Sequence, residues 1–379
     1  MFLREHKDPP RRDKAENSVN TRLRCIIAGG GTGGHLFPGI AVAGELKDRF
    51  KNAEIIFVTG RRPMESEILS GYGYCVKTID VEGLKGRGLK KAISVVFKLP
   101  KSFFQSYSVI RNFSPDSIIG MGGYSSGPIC LAGRIMGVPT AIHEQNSYPG
   151  LTNRLLARFV DRVFISFEES RPHLKSKSIF LTGNPVRREI FAENALKSTT
   201  RNAFTILVMG GSQGAKAINE AFAEAMEYLK GKARIPDVIH QTGETDYERT
   251  LGDYKTREIK GSVLPFIKDM ATAYQSADLV VGRAGASTIF ELAALGKPSI
   301  LIPYPFAANQ HQKVNALSLV RAGGAEMIFQ TELTGAVLAD MLMRYMDNRE
   351  ALKDMGKRAS TLARRDAAKA ITEKLIEML

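Results

Sequence analysis

The 379-residue chain is 44% hydrophobic, ample for two ordinary domains with separate cores and unusually long for one. Its formal net charge of +14 implies an anionic partner, whether a phosphate-bearing substrate, a membrane surface or nucleic acid. No apolar run reaches the roughly 18 residues of a spanning helix, and the charged N-terminus lacks a hydrophobic segment, so neither a membrane span nor a signal peptide is expected.

Residues 1–21 are polar and are expected to form a disordered tail without chemistry. The first predicted strand, Leu23 to Ala28, runs into Gly29-Gly30-Gly31-Thr32-Gly33-Gly34-His35 and then a helix with Ile40, Ala43 and Leu46 on one face. Glycines at such a turn let backbone N–H groups approach an anion at the positive end of the helix. The spacing also fits a dinucleotide fingerprint, but the next strand, Glu54 to Thr59, ends in Gly60-Arg61-Arg62 rather than the acid that a ribose needs. Those arginines leave a 2′-phosphate open.

The segment Lys90 to Phe104 mixes cations with large apolar residues, including Ile93, Phe97 and Phe103. It suits either an amphipathic helix packed on the core or docking on an anionic leaflet. Strand Ser117 to Met121 leads into a third glycine-rich turn, Gly120 to Pro128, which serves either close helix–strand packing or the cleft. Strand Thr140 to His143 ends in four polar residues, His143-Glu144-Gln145-Asn146, and strand Arg162 to Ser166 follows. Four consecutive polar side chains at a strand's carboxyl end favour lining a cleft over packing.

A polar stretch from about Arg187 to Ala203 reads as a linker. Beyond it the opening pattern repeats: strand Phe204 to Met209, turn Gly210-Gly211-Ser212-Gln213-Gly214, and a helix carrying Ile218, Phe222, Ala225 and Leu229. The second turn lacks a Gly-Lys-Ser/Thr ending, which argues against an NTPase. Predicted strands Val238 to Thr242, Asp278 to Gly282 and Pro298 to Pro303 follow. Alternation of apolar strands with helical patterns predicts parallel sheets with helices on both faces, and two such turns predict paired nucleotide-fold domains on one cleft.

Arg283 to Glu291 follows a strand and opens a helix, where Thr288 and Glu291 have capping-box spacing. The alternative for Glu291 is a carboxylate accepting both ribose hydroxyls, with helix-start N–H groups and Ser212 on a diphosphate. Asn309-Gln310-His311-Gln312 forms a polar loop fit for sugar hydroxyls or for solvent. A Lys/Arg-rich helical run from about Arg349 ends in Ile371, Leu375 and Ile376. The three cysteines, Cys25, Cys75 and Cys130, are widely spaced and are expected to be buried thiols in a reducing compartment.

Six ordered motifs closely resemble the MurG family, the N-acetylglucosamine transferases of peptidoglycan synthesis. They are Gly30 to Gly39, Gly120 to Tyr124, His143 to Asn146, Gly183-Asn184-Pro185-Val186-Arg187, Gly210 to Ala215 and Arg283 to Glu291. The resemblance implies an α/β GT-B fold, two Rossmann-like parallel-sheet domains facing a central cleft. Residues 22–186 would form the acceptor and membrane side, 187–363 the UDP-sugar side, and a helix over about 364–379 would cross back to the first domain.

It also implies inverting transfer of N-acetylglucosamine from UDP-N-acetylglucosamine to the 4-hydroxyl of the muramic acid sugar on undecaprenyl diphosphate, lipid I to lipid II. By motif, Thr32, Gly33 and Gly34 would meet phosphates, and Asn146 would support the acceptor beside His35. Arg187 and Ser212 would hold the UDP phosphates, and Ile267 would frame uracil. Ala286, Ser287, Thr288, Ile289 and Phe290 would offer backbone contacts, Glu291 would meet the ribose, and Gln312 the sugar hydroxyls. Asn309 to Gln312 departs from the family's usual Asp-Asn-His-Gln or Arg-Gln-Gln.

His35 is the first choice for the general base and Glu144 the second, because the acceptor hydroxyl must lose its proton as it attacks. No Asp-x-Asp pair follows a strand, so metal-independent catalysis without cofactor is expected, with helix N-termini and Arg187 stabilising the leaving UDP. The implied setting is the cytoplasmic face of the bacterial inner membrane, on an anionic leaflet bound through Ile93, Phe97 and Phe103. Partners would be cell-wall synthesis and division proteins, and no nucleic acid. A GT-B enzyme with another lipid or soluble acceptor, and a non-catalytic nucleotide-sugar or nucleic-acid binding module, stand as the alternatives. Basic residues scattered along the chain, rather than interleaved with aromatics on one face, weigh against nucleic acid.

Overall fold

A computed structural model describes residues 22–81, 89–191, 203–211 and 213–379, with backbone alone over 89–98. The 1–21 tail, most of the expected linker, Ser212, and the side chains of Ile93 and Phe97 lie outside the described residues.

The first half builds strands β1 (Arg24–Ala28), β2 (Glu54–Thr59), β3 (Cys75–Thr78), β4 (Ser117–Gly120), β5 (Thr140–Glu144), β6 (Arg162–Ile165) and β7 (Ile179–Leu181). Its helices are α1 (Gly33–Arg49), α2 (Pro63–Gly71), α3 (Leu89–Phe113), α4 (Ser126–Ile135), α5 (Leu151–Leu156) and α6 (Arg188–Phe191). The second half builds β8 (Thr205–Met209), β9 (Asp237–Gln241), β10 (Ser262–Leu264), β11 (Leu279–Gly282), β12 (Ser299–Leu301) and β13 (Glu326–Met327). With them come α7 (Lys216–Gly231), α8 (Tyr247–Thr256), α9 (Met270–Ser276), α10 (Ala286–Leu295), α11 (His311–Arg321), α12 (Gly335–Asp347), α13 (Arg349–Ser360) and α14 (Ala367–Ile376).

Both sheets are parallel throughout. Their orders are β3-β2-β1-β4-β5-β6-β7 and β10-β9-β8-β11-β12-β13. Strand order therefore reverses at β1/β4 in one sheet and at β8/β11 in the other, and the crevice beyond the carboxyl ends at such a switch is where open α/β sheets bind ligands. The glycine-rich turns after β1, β4 and β8, and the turn from Arg283, all leave from these four strands. That is the fold's contribution to function.

The central strands are buried on both faces: every residue of β4, β5, β8, β11 and β12 is buried. Near-continuous apolar runs make such strands when helices cover both sides. The C-terminal helix α14 packs on α1, and Ile371 and Leu375 sit fully buried in the same core as Ile40, Ala43 and Leu46. Burial of each such side chain contributes roughly 1.5–3 kcal/mol. The Arg162 guanidinium fixes the end of α14, donating to the Lys374 carbonyl at 2.5 Å and to Glu377 at 2.8 Å.

Two expectations fail in detail. Cys25 and Cys130 are buried, but Cys75 opens the edge strand β3 and is exposed. Phe103 packs against the first domain's core, while its neighbour Phe104 is 69% exposed.

Candidate active site

His35 is the third residue of α1, delivered to the carboxyl edge of β1. Thr32 precedes the helix in extended geometry, its hydroxyl making no capping bond, and is exposed. The turn after β4 packs directly on this segment. Gly122 has φ +89, and a Cβ there would lie 2.8 Å from both Cε1 and Nδ1 of His35. The third glycine-rich turn is thus a close approach that seats the imidazole.

Behind His35 stands the polar end of β5. The Gln145 Oε1 lies 3.1 Å from His35 Nδ1, and its Nε2 donates to the Met121 carbonyl at 2.8 Å and lies 3.0 Å from His143 Nδ1. His143 is fully buried, with Nε2 3.1 Å from the Gly183 carbonyl. Burial pushes its pKa down to about 4. Burial also lowers that of the partly exposed His35, opposed by hydrogen bonds to Gln145 and the Met121 carbonyl. A neutral imidazole results, the form that can accept a proton.

Glu144 is otherwise engaged. Its Oε1 accepts from the Asn146 backbone N–H (2.9 Å) and side-chain amide (3.3 Å), and its Oε2 from the Gly150 N–H (3.0 Å) and the Asn153 amide (2.9 Å). Burial raises its pKa against these four donors. With its oxygens so occupied, Glu144 shapes the 144–153 loop and presents Asn146, and the geometry does not favour it as a base.

The second domain comes within reach of this loop. Asn315 on α11 accepts the Ser147 N–H at 3.0 Å and donates to Asn146 Oδ1 and to the Ala284 carbonyl, both at 3.3 Å. The Ser147 hydroxyl donates to the His311 carbonyl at 3.4 Å. The start of α11 thus meets the 144–153 loop of the first domain. The Gln312 side chain accepts the Tyr304 N–H at 3.0 Å.

On the second sheet, the turn after β8 is tied to Ile267 by Gln241, which donates to the Gly211 carbonyl at 2.9 Å and accepts the Ile267 N–H at 2.8 Å. Helix α10 begins at Ala286 with Gly285 as its cap, and the Thr288–Glu291 capping box does not form. Glu291 instead turns inward, accepting from the Tyr274 hydroxyl at 2.9 Å and facing Arg187 at 3.8 Å. Desolvation raises its pKa, with Arg187 opposing. Ala286, Ile289 and Phe290 have buried side chains, leaving their backbone for any ligand, and Thr288 is partly exposed.

Arg187 is the junction. Its guanidinium lies 3.9 Å over the Phe37 ring and donates to the Tyr72 hydroxyl at 3.2 Å, both in the first domain, while facing Glu291 in the second. Arg187 Nε and Ser287 Oγ are buried polar atoms with no hydrogen-bond partner, and such atoms are costly unless a ligand meets them. Sequence reasoning passed over Tyr72, Gln241, Tyr274 and Asn315. For Gln241 a signal existed, as a polar residue closing an apolar strand at its carboxyl end.

The N-terminal domain of glycosyltransferase family 28 matches residues 25–165, and its C-terminal domain matches residues 205–371. The UDP-N-acetylglucosamine–N-acetylmuramyl-(pentapeptide) pyrophosphoryl-undecaprenol N-acetylglucosamine transferase of Syntrophus aciditrophicus is 46% identical over 357 residues, covering 94% of this chain and 99% of that protein. The chain belongs to glycosyltransferase family 28, among the MurG transferases. A family 28 relative of the same description from Myxococcus xanthus is 43% identical over 358 residues, covering 94% and 93%. The crystal structure of Acinetobacter baumannii MurG superposes with a TM-score of 0.73 at 30% identity, over 94% of this chain and 100% of that one. The family 28 fold, GT-B, extends further: a UDP-GlcNAc 2-epimerase from Neisseria meningitidis bound to UDP-GlcNAc has a TM-score of 0.68 at 13% identity, covering 94% and 100%.

Proposed function

We propose that the chain transfers N-acetylglucosamine from UDP-N-acetylglucosamine to the 4-hydroxyl of N-acetylmuramic acid on undecaprenyl diphosphate, converting lipid I to lipid II with inversion at the anomeric carbon. The observation that carries this reading is likeness to the Syntrophus transferase over 94% of this chain, joined to a histidine seated at one switch point beside a loop that bonds to the other domain.

In the transfer step the acceptor O4–H gives its proton to His35 Nε2. The O4 electron pair forms the new bond to the anomeric carbon, and the bond from that carbon to the UDP oxygen breaks, its pair leaving on the diphosphate. Arg187 and the N–H groups opening α10 meet the developing charge. Glu291 takes the ribose hydroxyls, Ile267 flanks the uracil, Ser212 and Ser287 hold phosphate, and Gln312 turns to the sugar. Thr32, Gly33 and Gly34 with Asn146 receive the acceptor. This electrostatic set works without metal or cofactor, so EDTA should leave the rate unchanged, and loss restored by Mg²⁺ would refute it.

The lipid end of the acceptor requires a membrane surface, and helices α3, α4 and α5, where α4 packs against both neighbours, support placing it there. Phe104, Leu131, Ile135, Leu151, Leu155 and Phe159 are exposed apolar side chains on or just after these helices, with exposed Arg134 and Arg158 near them in sequence. Apolar insertion plus cations suits an anionic leaflet, here the cytoplasmic face of the inner membrane. No helix among the described residues is long and apolar enough to cross a membrane.

The test is UDP release from UDP-N-acetylglucosamine with and without a lipid I analogue. Acceptor-dependent release, lost at least ~100-fold in His35→Ala with donor binding intact, is expected. Full turnover in His35→Ala would remove it as base, and release with a different acceptor alone would change the substrate.

A further inference from the structure

Gln145 holds the key to which nitrogen of His35 carries the proton. The Gly183 carbonyl can only accept, so His143 Nε2, 3.1 Å away, must bear hydrogen. Ser166 Oγ, 3.3 Å from the same nitrogen, can share that hydrogen as a second acceptor. A neutral His143 then offers a bare lone pair at Nδ1.

Three acceptors surround one end of the Gln145 amide: His143 Nδ1 at 3.0 Å, the Met121 carbonyl at 2.8 Å and the His143 carbonyl at 3.4 Å. Only the NH₂ end fits there. A flipped amide would set its oxygen against the Met121 oxygen at hydrogen-bond distance with no hydrogen between them, so the network assigns the orientation. The Gln145 oxygen is thereby aimed at His35 Nδ1, 3.1 Å away. An amide oxygen cannot donate, hence Nδ1 of His35 must.

We propose that Gln145, oriented by His143 and the Gly183 carbonyl, is a positioning residue that locks His35 in its Nδ1–H tautomer and leaves Nε2 as the proton-accepting lone pair. This rests on the reading of His35 as base, although the tautomer can be read independently of turnover. The choice of an amide has a consequence. A carboxylate at position 145 would stabilise imidazolium and raise the pKa of His35, whereas the neutral amide orients the ring without charging it.

The experiment is ¹⁵N NMR of the full-length protein labelled at histidine, with the His35 signals assigned by their absence from His35→Gln. Wild type should show a protonated Nδ1 and a pyridine-like Nε2 on His35. Gln145→Leu should shift the ring toward the Nε2–H tautomer that a histidine side chain prefers in water, with kcat down about 10–100-fold and KM for UDP-N-acetylglucosamine unchanged. Gln145→Glu should move the acid limb of the kcat profile to higher pH. A wild-type His35 found as Nε2–H overturns the proposal outright, and this measurement needs no variant of position 145 to fold. Unchanged kcat and tautomer in a folded Gln145→Leu also overturns it. If His35→Ala keeps full turnover while the tautomer is as stated, the base assignment fails and the orientation of His35 by Gln145 stands.

Discussion

Replacing Gly122 with alanine separates the placement of His35 from general stability. The new Cβ would sit 2.8 Å from His35 Nδ1 and Cε1 and 3.3 Å from Gln145 Oε1, whereas carbon contacts settle near 3.5–4.0 Å. The imidazole must therefore recede by roughly 1 Å, a misplacement that can cost ~100-fold in rate, or about 2.7 kcal/mol of barrier. Alanine at φ +89 adds a backbone cost of about 1–2 kcal/mol, worth roughly 2–8 °C in Tm for domains of this size. Gly137 supplies the control: its φ is +75, and an added Cβ would meet nothing within 4 Å. Gly137→Ala should lose similar stability and keep its kcat. Steady-state kinetics with a lipid I analogue, together with calorimetry, gives both readouts. Equal kcat in the two variants would show that the close approach at Gly122 does not set the imidazole for catalysis.

Further outcomes follow from the same geometry. Glu291→Gln removes the charge beside Arg187 but keeps an acceptor for Tyr274, so UDP affinity by calorimetry should fall ~10–100-fold, the worth of hydrogen bonds to a charged group, and unchanged affinity would take Glu291 out of the donor site. His143 and His240 are buried neutral, with pKa values pushed down by burial to about 4 and about 3 from 6.5. The unfolded chain then binds more protons below pH 6.5, so their contribution is full above that pH and is lost as pH falls toward 4; between pH 7.5 and 5.0 denaturant titration should lose about 3–4 kcal/mol. A stability flat over that range would contradict their burial as neutral rings. Phe104→Glu with Ile135→Glu should abolish binding to vesicles of anionic phospholipid while leaving UDP affinity intact, and undiminished vesicle binding would move the membrane surface elsewhere.

What could be read in the chain was what local pattern determines. Interior strands such as Thr205–Met209 are buried at every position and announce themselves as apolar runs. The edge strands Cys75–Thr78, Ile179–Leu181, Ser262–Leu264 and Glu326–Met327 were missed because they are short and only partly covered, so nothing forces an apolar run upon them. Lys90 to Phe104 offered two faces without saying which was inward, and the fold turned Phe103 in and left Phe104 out. Local spacing misled at Thr288 and Glu291, where a capping box lost to a buried bond with Tyr274.

The functional loops were legible as polar or glycine-rich strand ends, but their division of labour depends on partners far away in sequence. Glu144 and Gln145 are adjacent and chemically alike as acceptors. One faces Asn153 and the Gly150 N–H and serves the loop, while the other faces His35, 110 residues earlier, and serves the ring. Glu144 closes β5 and Gln145 directly follows it, so the two side chains point to opposite sides, and only the neighbours on each side tell them apart. The same holds for Asn315, which joins the Asn146–Ser147 loop to the Ala284 carbonyl just before α10. Through it the loop beside His35 and the start of α10 share a hydrogen-bonded connection, so the two domains are tied together there by a residue from α11.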